Sequence, residues 1–236
     1  MNLAGKTVLI TGGAKRVGAE LVRAFAAAGA EIRLHVRRSR AEAETLAASL
    51  PHPEKCRIFT ADFAIPGEAA KLLAACGRID VLVNNASMFE PDTLADGAET
   101  RDREQFEVNF WSPLALIRAF AARNPTEGTV VNLLDCEVSG PSAQGGAYAL
   151  SRRALADATL ELARELGPRN LRINAVAPGP VLPPVWLPGG KMEKTTPTLP
   201  LRRKVELSDL VDAVLFLCRN DSITGEILRV DRGQHL

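Results

Sequence analysis

The sequence has few of the residues that build metal centres and disulfide frameworks. Its 236 residues include only four cysteines and three histidines. Neither a Cys-x-x-Cys pair nor two histidines at ligand spacing occur among them. The cysteines are therefore interpreted as reduced, packed thiols, and no metal site is predicted.

An excess of charge and a long apolar run are also missing. The 29 basic and 28 acidic residues leave a net charge of +1, which gives no electrostatic footprint for nucleic acid or an anionic membrane. No apolar stretch approaches the ~20 residues of a membrane span, and residues 1–11 lack the apolar core of a signal peptide. We therefore expect small-molecule ligands and a cytoplasmic location.

What the sequence does have is a regular alternation. Short β-branched apolar runs are each followed by a polar or glycine-rich turn and then by a segment of helical periodicity, which is typical of parallel βαβ units. Strands are predicted at Thr7–Thr11, Glu31–Val36, Cys56–Thr60, Val81–Asn84, Thr129–Leu134, Leu171–Ala177 and Glu226–Val230. Helices are predicted at Val17–Ala28, Ser39–Leu50, Glu68–Cys76, Arg101–Arg123, Ala147–Leu166 and Ser208–Cys218.

This alternation predicts an α/β fold of the Rossmann type, with a doubly wound parallel sheet of seven strands and helices on both faces. It continues from end to end, so residues 1–236 are expected to form a single domain. The second helix opens with Ser39-Arg-Ala-Glu42, a capping-box pattern. The one irregular stretch, residues 179–204, contains six prolines and is predicted to be a substrate lid.

A glycine-rich turn, Thr11-Gly-Gly-Ala-Lys-Arg-Val-Gly18, lies between the first strand and the first helix. Glycines allow the backbone to approach a pyrophosphate, and the helix N-terminus offers free N–H groups. Such a turn can also simply connect a strand to a helix. Here, however, strand, turn and helix occur in the order that dinucleotide binding requires.

The end of the second strand predicts which dinucleotide is bound. An acidic residue at this place selects NAD, whereas cationic residues accept the additional phosphate of NADP. Here the strand ends His35-Val-Arg37-Arg38-Ser39 without a carboxylate. Two guanidiniums and a hydroxyl favour NADP(H), the alternative being a solvated basic patch.

Further landmarks follow in a fixed order. Asn84-Asn-Ala86-Ser87 follows the fourth strand, Asn109 lies in the next helix, Tyr148 and Arg152 are four residues apart, and Pro178-Gly179 follows the sixth strand. With the glycine-rich turn, this pattern resembles the short-chain dehydrogenase/reductase family across essentially the whole chain.

Within that family the sequence is most similar to the pteridine and dihydromonapterin reductases. Arg16 stands where most relatives have glycine, and the second strand ends in the subgroup's pattern of His35, Arg38 and Ser39. Ser87 and Phe89 follow Asn84-Asn-Ala86, and Asp135 occupies the place of the broader family's catalytic serine, thirteen residues before the tyrosine.

The resemblance implies roles for these residues. Arg16 would contact cofactor phosphates and substrate, Phe89 would stack on a pterin beside Ser87, and Asp62 would bond the adenine amino group. Asn109 would order a water-linked proton path. The full cofactor-binding set implied is Gly12, Lys15, Arg16, Gly18, Arg37, Arg38, Ser39, Asp62, Asn84, Ala86, Tyr148, Arg152, Pro178 and Gly179. Packing for Phe89, a turn for Asp135 and hydrogen bonding for Asn84 and Asn109 are the structural alternatives.

Tyr148 is the only tyrosine in the chain, and Arg152 lies one helical turn after it. A reductase must protonate the atom next to the carbon that accepts hydride, and a phenol does so when a cation stabilises its anion. The family supplies that cation with lysine, so Arg152 is the largest departure; Arg232, in place of a glycine, is a smaller one. Tyr148, Asp135, Arg152 and Asn109 form the predicted catalytic set.

The sequence thus predicts an NADPH-dependent reductase acting on a pterin-like or other flat heteroaromatic or carbonyl substrate. The alternatives are a general carbonyl or ketoacyl reductase and a catalytically impaired NADP(H)-binding sensor or scaffold. The resemblance also implies a homotetramer that packs the two helices predicted at Arg101–Arg123 and Ala147–Leu166.

Overall fold

A parallel β-sheet organises the chain in the computed structural model, which describes residues 1–124, 126–139, 145–183 and 195–236. Much of the predicted lid, residues 184–194, lies outside the described residues. The strands are β1 (Thr7–Ile10), β2 (Glu31–Val36), β3 (Cys56–Thr60), β4 (Val81–Asn84), β5 (Gly128–Leu133), β6 (Leu171–Pro178) and β7 (Ile227–Val230). Their order in the sheet is β3-β2-β1-β4-β5-β6-β7, and all neighbours are parallel.

Helices connect the strands. They are α1 (Arg16–Ala27), α2 (Arg40–Ala48), α3 (Glu68–Cys76), α4 (Glu99–Phe106), α5 (Ser112–Arg123), α6 (Gly146–Leu166) and α7 (Leu207–Arg219). The predicted fold class is confirmed, and every predicted strand occurs within one residue of its expected bounds. Among the described residues, no helix is long and apolar enough to cross a membrane.

Both faces of the sheet are covered. Along β1, Val8 and Ile10 pack into one core cluster with Phe25 of α1, whereas Leu9 between them packs into a second cluster with Phe120 of α5. All five side chains are buried. Because side chains alternate along a strand, a strand that is apolar at every position requires a helical layer on each face.

The helix predicted at Arg101–Arg123 is not one regular α-helix, and in this respect the prediction was wrong. A π-helical turn at Glu107–Trp111 separates α4 from α5. Pro113 has no N–H group to donate to the carbonyl of Asn109, four residues earlier. The Ser112 amide instead bonds the carbonyl of Glu107, five residues back, and the turn widens around Asn109.

The capping box predicted at the start of α2 is also absent. Ser39 occupies the N-cap position but its side chain makes no capping hydrogen bond. Glu42, the expected partner, is exposed and pairs with Lys15 at 2.6 Å between Oε1 and Nζ. The carboxylate is thus drawn towards the glycine-rich turn rather than back to its own helix.

Arg172 on β6 joins the sheet to the end of α7. One terminal nitrogen donates to the carbonyls of Leu217 (2.8 Å) and Ile223 (3.0 Å), and the other to Thr129 Oγ1 (2.7 Å) and the Cys218 carbonyl (2.9 Å). The guanidinium is buried, so these four acceptors replace its hydration.

We expect Arg172→Met to lower the free energy of unfolding by about 2–4 kcal/mol, because four acceptors lose a charged donor at once. Arg118→Met, on the exposed face of α5, is the matched control and should change stability by less than about 0.5 kcal/mol. Urea unfolding of both variants measures the difference. Equal stabilities would show that the Arg172 contacts contribute nothing net.

Candidate active site

The site lies where the strand order reverses, at the carboxyl ends of β1 and β4. Thr11 Oγ1 accepts hydrogen bonds from the backbone amides of Asn85 and Ala86, both at 2.9 Å. Asn85 Nδ2 donates to the carbonyls of Thr11 (2.8 Å) and Gly12 (3.1 Å). Neither Thr11 nor Asn85 was among the predicted site residues, although both stand inside the motifs that predicted the site.

Two glycines of the turn are required by close backbone approach. A Cβ on Gly18 would lie 2.2 Å from the Gly12 carbonyl oxygen, and a Cβ on Gly12 would lie 3.0 Å from Ala86 Cα. Gly12 also has a φ of +65°, which glycine adopts without strain. The turn can therefore pass close under α1 and present backbone amides at its N-terminus.

The two cationic residues of the turn face different ways. Lys15 pairs with Glu42, whereas Arg16 donates to the carbonyl of Pro183 at 2.9 Å, beyond the end of β6. Arg16 has a φ of +54°, a left-handed conformation that suits the glycine found there in most of the family. Arg16 thus reaches from the start of α1 across the site to the first residues of the predicted lid.

At the end of β2, Arg37 Nε pairs with Asp62 Oδ2 at 2.9 Å. Asp62 Oδ1 accepts from the Ala64 amide at 3.0 Å, so its carboxylate is fixed from two sides. Arg38 is exposed and Ser39 is partly exposed. The three arginines expected to contact cofactor phosphates therefore have different surroundings, with Arg16 beside the predicted lid and Arg37 and Arg38 after the end of β2.

Asn84 is buried at the end of β4, where its Nδ2 donates to Asn132 Oδ1 at 2.8 Å. Its own Oδ1 is buried and has no hydrogen-bond partner among the residues that the structure describes. Asn132 in turn donates to Thr159 Oγ1 at 2.9 Å. These side-chain hydrogen bonds join β4, β5 and α6 beneath the site.

Helix residues hold the segment that carries Ser87 and Phe89. The Asn109 side chain binds the backbone of Met88 twice. Its Oδ1 accepts from the Met88 amide at 3.0 Å, and its Nδ2 donates to the Met88 carbonyl at 2.8 Å. Gln105, one turn earlier and fully buried, accepts from the Glu90 amide at 3.2 Å. Gln105 was not predicted, because nothing in its spacing distinguishes it from a packed helix residue.

Tyr148, Asp135, Phe89 and Arg152 come together at the start of α6. The Tyr148 hydroxyl donates to Asp135 Oδ2 at 3.1 Å, and the Phe89 ring meets the Tyr148 ring edge to face with centroids 4.6 Å apart. The Arg152 guanidinium lies 5.5 Å from the centre of the Tyr148 ring. An acid, an aromatic wall and a cation therefore share one small region.

Arg152 is 3% exposed, and one terminal nitrogen donates to the Leu133 carbonyl at 3.1 Å. Its Nε is buried without a hydrogen-bond partner among the described residues. A buried charged donor without an acceptor is costly. The guanidinium accordingly has hydrogen-bonding capacity left over for a group that enters the site.

The electrostatics keep the Tyr148 phenol neutral. Burial raises its pKa above the ordinary value, the nearby Asp135 raises it further, and the charge of Arg152 acts in the opposite direction. Tyr148 therefore holds its proton at neutral pH and has a cation beside it to stabilise the anion formed when that proton leaves.

The ends of β6 and β7 close the other side of the site. The Gly179 amide donates to the Val230 carbonyl at 3.0 Å, and a Cβ on Gly179 would lie 2.8 Å from Asp231 Cα. Gly179 thus passes directly against the residue that follows β7, and no side chain fits at position 179. Arg232, the other departure from the family pattern, has a φ of +57° and pairs with Asp209 at 2.5 Å.

The chain belongs to the short-chain dehydrogenase/reductase family. A family model described as enoyl-(acyl carrier protein) reductase matches residues 12–235. The chain is 33% identical to pteridine reductase 1 of Leishmania tarentolae, with 97% of this chain and 96% of that protein covered. It is 31% identical to L-xylulose reductase of Bos taurus, with 99% and 98% covered.

Among solved structures, it resembles the FolM alternative dihydrofolate reductase 1 of Brucella canis in complex with NADP. The TM-score is 0.93 at 34% identity, with 99% of this chain and 95% of that chain covered. The predicted resemblance to this family and to its pteridine reductases is therefore confirmed.

His35 lies behind the glycine-rich turn and titrates abnormally. Its ring is buried on β2 and stacks on Phe63 with centroids 4.2 Å apart. Burial lowers the pKa of His35 from 6.5 to about 4, although the Ala61 carbonyl and the charge of Asp62 act in the opposite direction. The folded protein therefore resists protonation of this ring, whereas the unfolded chain does not.

Below pH 6.5 the His35 ring binds a proton in the unfolded state, whereas in the native state it does so only below about pH 4. The His35 contribution should thus be fully present at pH 7 and fall by about 3 kcal/mol as the pH drops through this window. Urea unfolding of the wild type and of His35→Asn at several pH values measures it. Parallel stability curves for the two proteins would contradict the assignment.

Proposed function

We propose that this protein is an NADPH-dependent reductase that transfers hydride to a pterin-like or other flat heteroaromatic or carbonyl substrate, with Tyr148 as the proton donor. The observation that carries the proposal is the neutral Tyr148 phenol. It donates a hydrogen bond to Asp135, packs against the Phe89 ring and lies beside the buried Arg152. The similarity to pteridine reductase 1 and to a dihydrofolate reductase in complex with NADP supports the substrate class and the cofactor.

The residues present fit a bound dinucleotide. The glycine turn leaves a cradle that side chains at Gly12 or Gly18 would fill, and α1 directs its free amides there. Arg37, Arg38 and Ser39 would hold the 2′-phosphate, and Asp62 the adenine. The Arg152 Nε, which has no hydrogen-bond partner among the described residues, would donate to the cofactor ribose, as the family's lysine does.

NADPH, when bound, supplies the hydride to the electrophilic carbon of a C=N or C=O bond. The neighbouring nitrogen or oxygen then needs a proton, which Tyr148 gives from its hydroxyl. The resulting phenolate is stabilised by the charge of Arg152. Asp135 holds the phenol in its neutral state beforehand and orients its hydroxyl, while Phe89 offers a flat face to an aromatic substrate.

Binding of the 2′-phosphate should depend on Arg38. We expect NADPH to bind at least about tenfold more tightly than NADH, since a charge-assisted hydrogen bond contributes roughly 1.5–3 kcal/mol. Arg38→Ala should remove most of this preference and leave NADH affinity unchanged. Arg40→Ala, an exposed neighbour paired with Glu44, is the control. Calorimetric titration with both cofactors decides, and equal wild-type affinities would refute the phosphate subsite.

The role of Tyr148 is tested by a screen of NADPH oxidation against dihydropterins, dihydrofolate, quinones and simple ketones. Tyr148→Phe should lower turnover about 10²–10⁴-fold on the best substrate and leave NADPH affinity nearly intact, because only the proton donor is lost. Arg152→Lys should also lower turnover, because the lysine side chain is shorter and its single nitrogen cannot bind both the Leu133 carbonyl and the ribose.

The outcomes of this screen distinguish the alternatives. Preferential turnover of simple ketones would favour a general carbonyl reductase, to which the similarity to L-xylulose reductase also points. Tight NADPH binding without turnover of any substrate would favour the sensor or scaffold. Higher turnover in Arg152→Lys than in the wild type would show that the guanidinium impairs the site rather than serving it.

A further inference from the structure

His35 makes a hydrogen bond through each of its ring nitrogens. Its Nδ1 lies 3.3 Å from the Gly12 amide, and its Nε2 lies 3.1 Å from the Ala61 carbonyl oxygen. A carbonyl can only accept and an amide can only donate, so Nε2 carries the proton and Nδ1 is the acceptor. Only the neutral ring in this one tautomer satisfies both partners.

The same residue also holds the next amide of the glycine-rich turn. The Gly13 amide donates to the main-chain carbonyl of His35 at 3.0 Å. From the opposite side, Asn85 Nδ2 donates to the Gly12 carbonyl at 3.1 Å. The Gly12 amide and carbonyl are therefore fixed from two sides, by His35 on β2 and by Asn85 directly after β4.

We propose that His35 is a positioning residue for the cofactor, whose neutral imidazole fixes the Gly12 amide and thereby the turn that receives the dinucleotide phosphates. This inference rests on the proposed binding of NADP(H). It concerns a ring that lies beneath the turn and contacts its backbone, not a group that meets the cofactor. The low pKa of His35, about 4, agrees with it because the ring stays an acceptor at neutral pH.

The position of His35 distinguishes its effect from that of the phosphate subsite. Arg38 is exposed beyond the end of β2, where only the 2′-phosphate of NADPH would reach it, whereas the pyrophosphate is common to NADPH and NADH. Loss of the His35 bond should therefore weaken both cofactors by the same factor. The ratio of the two affinities should not change.

Two variants separate the Gly12 bond from the packing of the ring. The side-chain oxygen of asparagine stands closest to the place of Nδ1, and the side-chain amide of glutamine closest to the place of Nε2. Both variants lose the stacking on Phe63. Only His35→Asn keeps an acceptor for the Gly12 amide, whereas only His35→Gln keeps a donor for the Ala61 carbonyl. Each variant thus keeps one of the two hydrogen bonds at similar loss of packing, and only the bond to Gly12 should matter for cofactor affinity.

Calorimetric titration of wild type, His35→Asn and His35→Gln with NADPH and with NADH is the test. We expect His35→Gln to weaken both cofactors about five- to tenfold, the effect of one hydrogen bond, and His35→Asn to stay within about twofold of wild type. Thermal unfolding of both variants, expected to show similar losses of stability, excludes misfolding as the cause.

Equal affinities in the two variants, or a loss confined to NADPH, would overturn the inference. A wild type that binds neither cofactor would instead overturn the proposed function, and the inference with it. Nitrogen-15 spectra of histidine-labelled wild type need no variant and provide a second test. They should show an unprotonated Nδ1 and a protonated Nε2 at neutral pH, and the opposite tautomer would contradict the bond to Gly12.

Discussion

The site depends on the close approach of α1 to the turn that precedes it. No side chain fits at Gly18, since its Cβ would lie 2.2 Å from the Gly12 carbonyl oxygen. This contact brings the helix N-terminus down onto the carboxyl ends of β1 and β4, where the strand order reverses. The hydrogen bonds of Thr11, Asn85 and His35 then fix the turn from both neighbouring strands. The cradle proposed to receive the cofactor phosphates is thus formed by the backbone, and side chains outside it hold it in shape.

The second constraint is the buried charge of Arg152. Arg152 is 3% exposed, and its Nε lacks a partner within the described part of the chain, which is costly unless another group binds it. In the proposed mechanism its place beside Tyr148 gives it such a use, because the phenolate left by proton transfer would need a nearby cation. Asp135 opposes ionisation of the same phenol by raising its pKa. We infer that the site has adapted to arginine rather than merely tolerating it.

Periodicity and turn chemistry were sufficient to predict the sheet, its seven strands and most helix bounds, because each strand is a short run rich in apolar, mostly β-branched residues and the turns are marked by glycine or polar clusters. The π-turn at Asn109 was missed, although Pro113 stood four residues away as the signal. The capping box at Ser39 was wrong because Lys15, distant in sequence, attracts Glu42. The homotetramer, and the lid over residues 179–204, stay predictions.

The site was predicted less completely, for physical reasons. Motifs identified Tyr148, Asp135 and the glycines because chemistry dictates those residue types at those spacings. Gln105 and His35 act through hydrogen bonds to backbone groups that are far away in sequence, Glu90 in one case and Gly12 and Ala61 in the other. A bond to the main chain leaves no complementary residue type for a pattern to find. Only the folded coordinates bring these partners together.

Single-turnover oxidation of bound NADPH, after rapid mixing with a dihydropterin, tests the central claim most directly. If hydride transfer is coupled to proton donation by the Tyr148 phenol, oxidation of the nicotinamide should slow both when the transferred hydrogen is deuterium and when the reaction runs in D₂O. NADPH that binds firmly and is not oxidised by any dihydropterin, or oxidation at a rate that neither deuterium substitution changes, would contradict the account.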